Sequence, residues 1–144
     1  MTSRFSLAAC AAAIAIAAAA TAADKPKTLS QAAPGLWELN GVQGSKTAVR
    51  ECLTNLAVLN QYEHRARTCT ANTLSDTGKV AVINYSCGAS DFGRSSIKFV
   101  TPRNLKVETQ GISDGLPFGY TIEARRVGEC KPVAADANAT ERGN

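Results

Sequence analysis

The stretch 68–87, TCTANTLSDTGKVAVINYSC, restricts the fold more than any other part of the chain. Ser75-Asp76-Thr77-Gly78 is a turn signal: Asp hydrogen-bonds its own backbone two residues on, and Gly supplies a positive φ at no steric cost. Beyond it, 79–85 reads KVAVINY, rich in the β-branched and aromatic residues that suit a strand. Cys69 lies seven residues before Asp76 and Cys87 nine after Gly78. Antiparallel pairing brings these two thiols together, with a bulge or a diagonal offset absorbing the difference. A bond between them closes a loop of about 18 residues and restricts the unfolded chain by roughly 3 kcal/mol. The other segments are expected as additions to this hairpin.

Asp76-Thr77-Gly78 also spells the DTG triplet of aspartic proteases. That chemistry needs two carboxylates sharing one proton, and the chain holds one copy flanked by Ser75 and Lys79. The triplet is therefore read as a turn.

Residues 1–23 have the layout of a secretory signal peptide. Arg4 supplies the positive start, an Ala-rich apolar run follows, and Ala20-Thr21-Ala22 fits the small-x-small cleavage pattern. Cleavage leaves about 120 residues, enough for one modest domain, and no transmembrane span in the mature chain. The alternative is a lipoprotein anchored at Cys10, since Leu7-Ala8-Ala9-Cys10 resembles a lipoprotein box; here, however, the apolar run follows the cysteine instead of preceding it. Export to the periplasm, or secretion, is an oxidising destination. There Cys52, Cys69, Cys87 and Cys130 are expected to form two disulfides. Cys69–Cys87 with Cys52–Cys130 is the favoured pairing, and Cys52–Cys69 with Cys87–Cys130 the alternative. A thiolate metal site is disfavoured because there is no CxxC and only one His. Without Arg4 the chain carries 15 basic groups against 12 acidic, a solvated surface that does not call for nucleic acid as a partner.

Along the chain, 24–33 is polar and Pro-containing and is expected as a flexible lead-in. Pro34-Gly35 opens a strand in which Trp37 and Leu39 share one face, Glu38 and Asn40 the other. A second strand is expected over 46–53. Thr54 then caps a helix over 55–65, with Leu56, Leu59 and, partly aligned, Tyr62 as its apolar stripe. His64, Arg65 and Arg67 fall at its C-terminal end, where positive charge complements the dipole. Three more strands are expected over 94–101, 105–110 and 118–127, separated by a turn at 102–104 and loops at 88–93 and 111–117. Residues 133–144 are expected as a disordered tail. Clean alternation and short connections make this a mainly β, antiparallel fold. About seven strands form a strongly curved sheet or partly closed barrel, with one short helix covering an opening or edge. The single β domain spans 34–132.

Four motifs occur in order: PGLWEL at 34–39, ECLT at 51–54, the Cys69 and Cys87 pair, and RRVGEC at 125–130. Together they resemble the DUF3617 family, small exported proteins of proteobacteria. The resemblance covers nearly all of the mature domain. Departures are Asn55-Leu56 after ECLT, where the family often has an acidic residue and a proline, and no aromatic residue beside Arg126. The family has no assigned activity, so the resemblance implies no catalytic residue, cofactor or metal ligand. Its motif residues imply structural roles: a strand opener, disulfide cysteines and a closing turn.

Trp37, Phe99, Tyr120 and Ile122 would line the inside of a curved sheet, either as the wall of a small apolar ligand's site or as core. A filled core is the expectation, because a domain this small needs its apolar groups for stability. A periplasmic protein partner would instead meet the loops at 88–93 and 111–117. Against catalysis stand the single His without a visible nucleophile or orienting carboxylate and the commitment of the cysteines to bridges. The expectation is an exported, non-enzymatic binding or envelope-associated protein. The alternatives are a structural or stress-related envelope component without a discrete site and a periplasmic enzyme inhibitor.

Overall fold

A computed structural model describes residues 25–131. The expected signal peptide, the Cys10 alternative and the expected tail lie outside the described residues.

Seven strands form one antiparallel sheet: β1 (Gly35–Asn40), β2 (Val49–Leu53), β3 (Thr70–Asp76), β4 (Val80–Ser86), β5 (Phe92–Thr101), β6 (Asn104–Ser113) and β7 (Leu116–Gly128). Their order is β2-β1-β7-β6-β5-β4-β3, so β2 and β3 are edges and the sheet is open, not a barrel. Alternation does what a half-buried sheet requires. Trp37, Leu39, Ala81, Ile83, Ile97, Leu105, Val107, Ile122 and Ala124 point to one face and are buried. Arg94, Lys98, Glu108, Gln110, Glu123 and Arg125 alternate with them on the other face and are exposed. One face is thus mainly apolar and buried, the other mainly polar and exposed.

A 3₁₀ helix (Leu56–His64) packs on β4, β5 and β6 and closes the apolar face. It is the one short helix expected over 55–65. Leu56, Leu59 and Tyr62 are all fully buried and recur every three residues, the period at which 3₁₀ side chains eclipse. The run is two short 3₁₀ turns broken at Gln61, whose φ of −138° and ψ of 42° are not helical. Its cap is Asn55, not Thr54: the Asn55 Oδ1 accepts from the Ala57 N–H at 2.9 Å. The Gln61 amide then donates to the carbonyls of His64 and Arg67 at 3.3 and 3.1 Å, steering the chain down to Cys69.

The supposed flexible lead-in is a second correction. Its described part holds a one-turn helix, α1 (Lys27–Ser30), with Thr28 and Leu29 fully buried and Ala32 4% exposed. Leu29 and Ala32 belong to the same hydrophobic core as Trp37, and burial of this apolar side anchors a segment whose polarity suggested a linker.

The hairpin β3–β4 has the expected register, with a shift between Thr73 and Ser75 absorbing the unequal arms. It is not the organising element, however. Residues 70–75 are all exposed, and β3 hangs at the margin of the sheet. The spine is β5, β6 and β7, of 10, 10 and 13 residues. Both favoured disulfides are present. Cys69–Cys87, with Cα atoms 4.1 Å apart, closes the open end of the hairpin. Cys52–Cys130, at 5.4 Å, ties edge strand β2 to the chain leaving β7, with β1 between them.

Candidate functional site

At one end of the sheet a row of paired residues runs Tyr85, Gly93, Gly111, Phe118 across β4, β5, β6 and β7. The two glycines make room for the aromatics. A Cβ on Gly93 would collide with the Tyr85 ring, and one on Gly111 would meet the Phe92 carbonyl and the Phe118 ring. Tyr85 and Phe118 can therefore lie over the glycines, where both meet His64 edge-on at centroid distances of 5.5 and 5.7 Å.

His64 is 2% exposed and not a surface cation complementing a helix end. Its Nδ1 lies 3.4 Å from the Tyr85 hydroxyl. Its Nε2 faces the Asp91 carboxylate at 3.8 Å, beyond hydrogen-bond reach, and has no hydrogen-bond partner. The buried Ser95 hydroxyl, by contrast, is satisfied by donating to Thr109 at 3.0 Å. Burial pushes the Tyr85 phenol above its ordinary pKa, against the opposing hydrogen bond with Thr109.

Asp91 ties two loops together. Its Oδ1 accepts from the Asp114 N–H at 2.7 Å, and the Arg67 guanidinium bridges the carboxylates of Asp91 and Asp114. The Asp114 N–H, more than the Arg67 charge and hydrogen bond and the nearby His64, holds the Asp91 carboxyl below its ordinary range against the opposing effect of burial. The loops expected at 88–93 and 111–117 are thus short and joined. β5 begins at Phe92, while β6 and β7 meet in a two-residue turn at Asp114 and Gly115, both at positive φ.

Outward of the glycine row, the open face carries a cleft of about 720 Å³. Its lining includes Phe92, Ile112, Phe118 and the backbone of Gly93 and Gly111, with Asn84, Arg94 and Gln110 as polar groups. Phe92 is 51% exposed and Leu116, the first residue of β7, 70%. A smaller cleft of about 400 Å³ adjoins it, and its lining includes Arg94, Ser96, Glu108, Gln110, Gly119, Tyr120 and Thr121. Arg94 and Gln110 belong to both.

The residues singled out from sequence lie elsewhere. Trp37 and Ile122 are fully buried, and Phe99 and Tyr120 pack half-buried against the same core on the covered face. All four belong to the core or pack against it, and none lines the larger cleft, although Tyr120 borders the smaller one. The four cysteines staple the sheet. What sequence reasoning missed is the Asp91 carboxylate beside His64 and the cleft residues Phe92, Arg94, Gln110 and Ile112. Gly-Ala-Ser-Asp reads as an ordinary loop, and nothing local in it points to His64. The usable signal was Asp114-Gly115, a hairpin dipeptide that lengthens β6 and β7 and brings Phe92 and Ile112 opposite each other. Among the described residues no cluster of three or more His, Cys, Asp or Glu is arranged to hold a metal ion, and no helix is long and apolar enough to cross a membrane.

The family described as a protein of unknown function, DUF3617, matches residues 32–130, which is the sheet with its covering helix and both disulfides. No curated protein and no solved structure matches the chain. The motifs at 34–39, 51–54 and 125–130 all fall in this span and meet in space: Trp37 pairs with Glu51 on one side and with Arg126 on the other. The chain belongs to the DUF3617 family.

Proposed function

We propose that this domain is a non-enzymatic binding protein of an oxidising, extracytoplasmic compartment, which takes its ligand on the open face of the sheet. The observation that carries this reading is the cleft over Gly93 and Gly111. It combines apolar side chains with a few polar groups, Asn84, Arg94 and Gln110, the make-up of a small-molecule site. The signal-like leader and the two disulfides support export. The burial of His64 beneath Tyr85 and Phe118 supports a non-catalytic role, because a proton-transfer group has to reach its substrate. A protein partner, as for an inhibitor, is the second reading. It is favoured by the exposure of Phe92 and Leu116 beside the joined loops.

Native mass spectrometry of unreduced protein from the exporting compartment tests the first reading. The expected result is an added mass that is lost on denaturation and is missing from Ile112→Asp, which places a charge in the cleft without touching the core. An added mass retained by that variant would assign the ligand elsewhere. A turnover activity lost in His64→Ala would replace the binding reading with an enzymatic one.

A further inference from the structure

We infer that the ligand of this cleft is a single-chain amphiphile with a carboxylate head, held by Arg94; the inference rests on the cleft being the binding site. Arg94 is exposed on β5 and stands where the two clefts meet. Most other arginines of the described residues have a carboxylate: Arg50 and Arg125 share Glu38, Arg65 has Glu51, Arg67 has Asp91 and Asp114, and Arg126 has Glu129. Among the described residues Arg94 has no carboxylate within ion-pair distance, and it is the one such arginine bordering an apolar cleft.

The register sets the ligand's orientation. Arg94 pairs with Gln110 across β5 and β6, and two residues along each strand Phe92 pairs with Ile112 on the same face. A guanidinium and an amide thus stand beside an apolar strip one pleat away. A carboxylate takes two parallel hydrogen bonds from a guanidinium, and the Gln110 amide offers a further donor. The acyl chain then runs over the Cα atoms of Gly93 and Gly111 and onto the paired side chains of Phe92 and Ile112. Charge selects a monoanion. One unpaired cation balances one negative charge, and Glu108, which lines the smaller cleft beside Arg94, opposes a second.

The test compares decanoate with decanol, both below aggregation, on the full disulfide-bonded protein. Binding is followed by calorimetry and by the ¹⁵N–¹H signals of Gly93 and Gly111. The expected result is decanoate binding that shifts both glycines and weakens about tenfold in Arg94→Gln, in line with loss of a charge-assisted hydrogen bond. Arg94→Lys should fall between the two. Decanol should bind more weakly than decanoate and equally to wild type and Arg94→Gln. If decanoate binds Arg94→Gln as well as wild type, or if decanol matches decanoate, the head-group assignment is overturned while the cleft stands. If neither compound binds, this inference and the small-molecule reading fall together. Arg94 is exposed, and an unchanged spectrum outside the cleft verifies that its variants fold.

Discussion

The Asp76 carboxylate holds Thr28 from a distant part of the chain, accepting its backbone N–H at 3.2 Å and its hydroxyl at 2.7 Å. It also accepts from the N–H groups of Lys27 and Gly78. The DTG turn therefore acts as an N-cap supplied by a distant segment: α1 follows Pro26, which offers no side-chain cap, and the hairpin provides one. Asp76→Ala should release α1 and expose Leu29, at a cost of about 1–2 kcal/mol for the cap alone. Urea unfolding measures it. Asp76→Asn keeps an acceptor and should lose less.

Acid should act through the same contacts. Burial alone would raise the Asp76 pKa, but hydrogen bonds from the Thr28 hydroxyl and the Gly78, Lys27 and Thr28 N–H groups outweigh it and hold the carboxyl below its ordinary 3.8. The Asp114 N–H and Arg67 lower Asp91, and Arg125 and Arg50 lower Glu38. A carboxyl lowered on folding stabilises the native state above its unfolded pKa, and that contribution is lost as pH falls through the folded value. Unfolding midpoints should therefore hold steady from neutral pH to about 5 and fall below about 4. In Asp76→Asn the fall should be shallower, since one of these linked protons is gone.

The two disulfides should differ in worth. Cys69–Cys87 closes a separation of 18 residues and Cys52–Cys130 one of 78. Loop entropy assigns them about 3 and about 4.5 kcal/mol respectively. Replacing Cys52 and Cys130 by Ala should lower the urea midpoint more than replacing Cys69 and Cys87. The hairpin bond has a second, local effect, because β3 is an exposed edge with cover on neither face. Hydrogen exchange in the Cys69→Ala/Cys87→Ala protein should rise first in 70–76, while β6 and β7 stay protected.

Gly111 is a sharper test of the sheet's inner end. The Phe92 carbonyl oxygen is the atom nearest to a Cβ built there, and a paired strand backbone cannot swing aside as a side chain can. Gly111→Ala should cost about 1–3 kcal/mol by overpacking, although alanine suits a strand interior better than glycine elsewhere. Gly119→Ala is the control. The nearest contact of its Cβ is the Gln110 side chain at 3.8 Å, so thermal unfolding should move little.

Much of the sheet was legible in the residues because alternation is a two-state signal: Trp37, Leu39, Ile97, Leu105, Val107 and Ile122 could only be inside together. The Cys69–Cys87 pairing followed from arms of comparable length about a turn. What escaped notice depended on contacts between distant segments. Lead-in residues 25–33 are polar one by one, and only Leu29 and Ala32, meeting the core, make them part of the domain. The helix type was written in the spacing of Leu56, Leu59 and Tyr62, a repeat of three that drifts around an α-helix but lines up on a 3₁₀ helix. The cleft stayed hidden because Phe92 and Ile112 were assigned to loops. Once Asp114-Gly115 is taken as a two-residue turn, both fall on strands and on the face opposite to the core.

All three tyrosines of the chain make one further prediction, at the alkaline end. Burial raises the phenol pKa of Tyr62, and the Glu51 carboxylate, accepting its hydroxyl at 2.8 Å, raises it further. Burial and then Glu63, at 2.9 Å, do the same for Tyr120, and burial raises Tyr85 against Thr109. In the unfolded chain each would ionise near its ordinary value of 10.0. A phenol raised on folding leaves the native state at full strength below that value, and its contribution fades as pH rises toward the folded pKa. Absorbance at the phenolate band should therefore stay flat through pH 10 in the native protein and then rise for all three tyrosines in one step, together with loss of the sheet's circular dichroism. Three separate phenolate steps with the sheet intact would place these hydroxyls in water. Glu63→Gln should remove a nearby negative charge and let Tyr120 ionise earlier, while Tyr62 keeps its place in the common step.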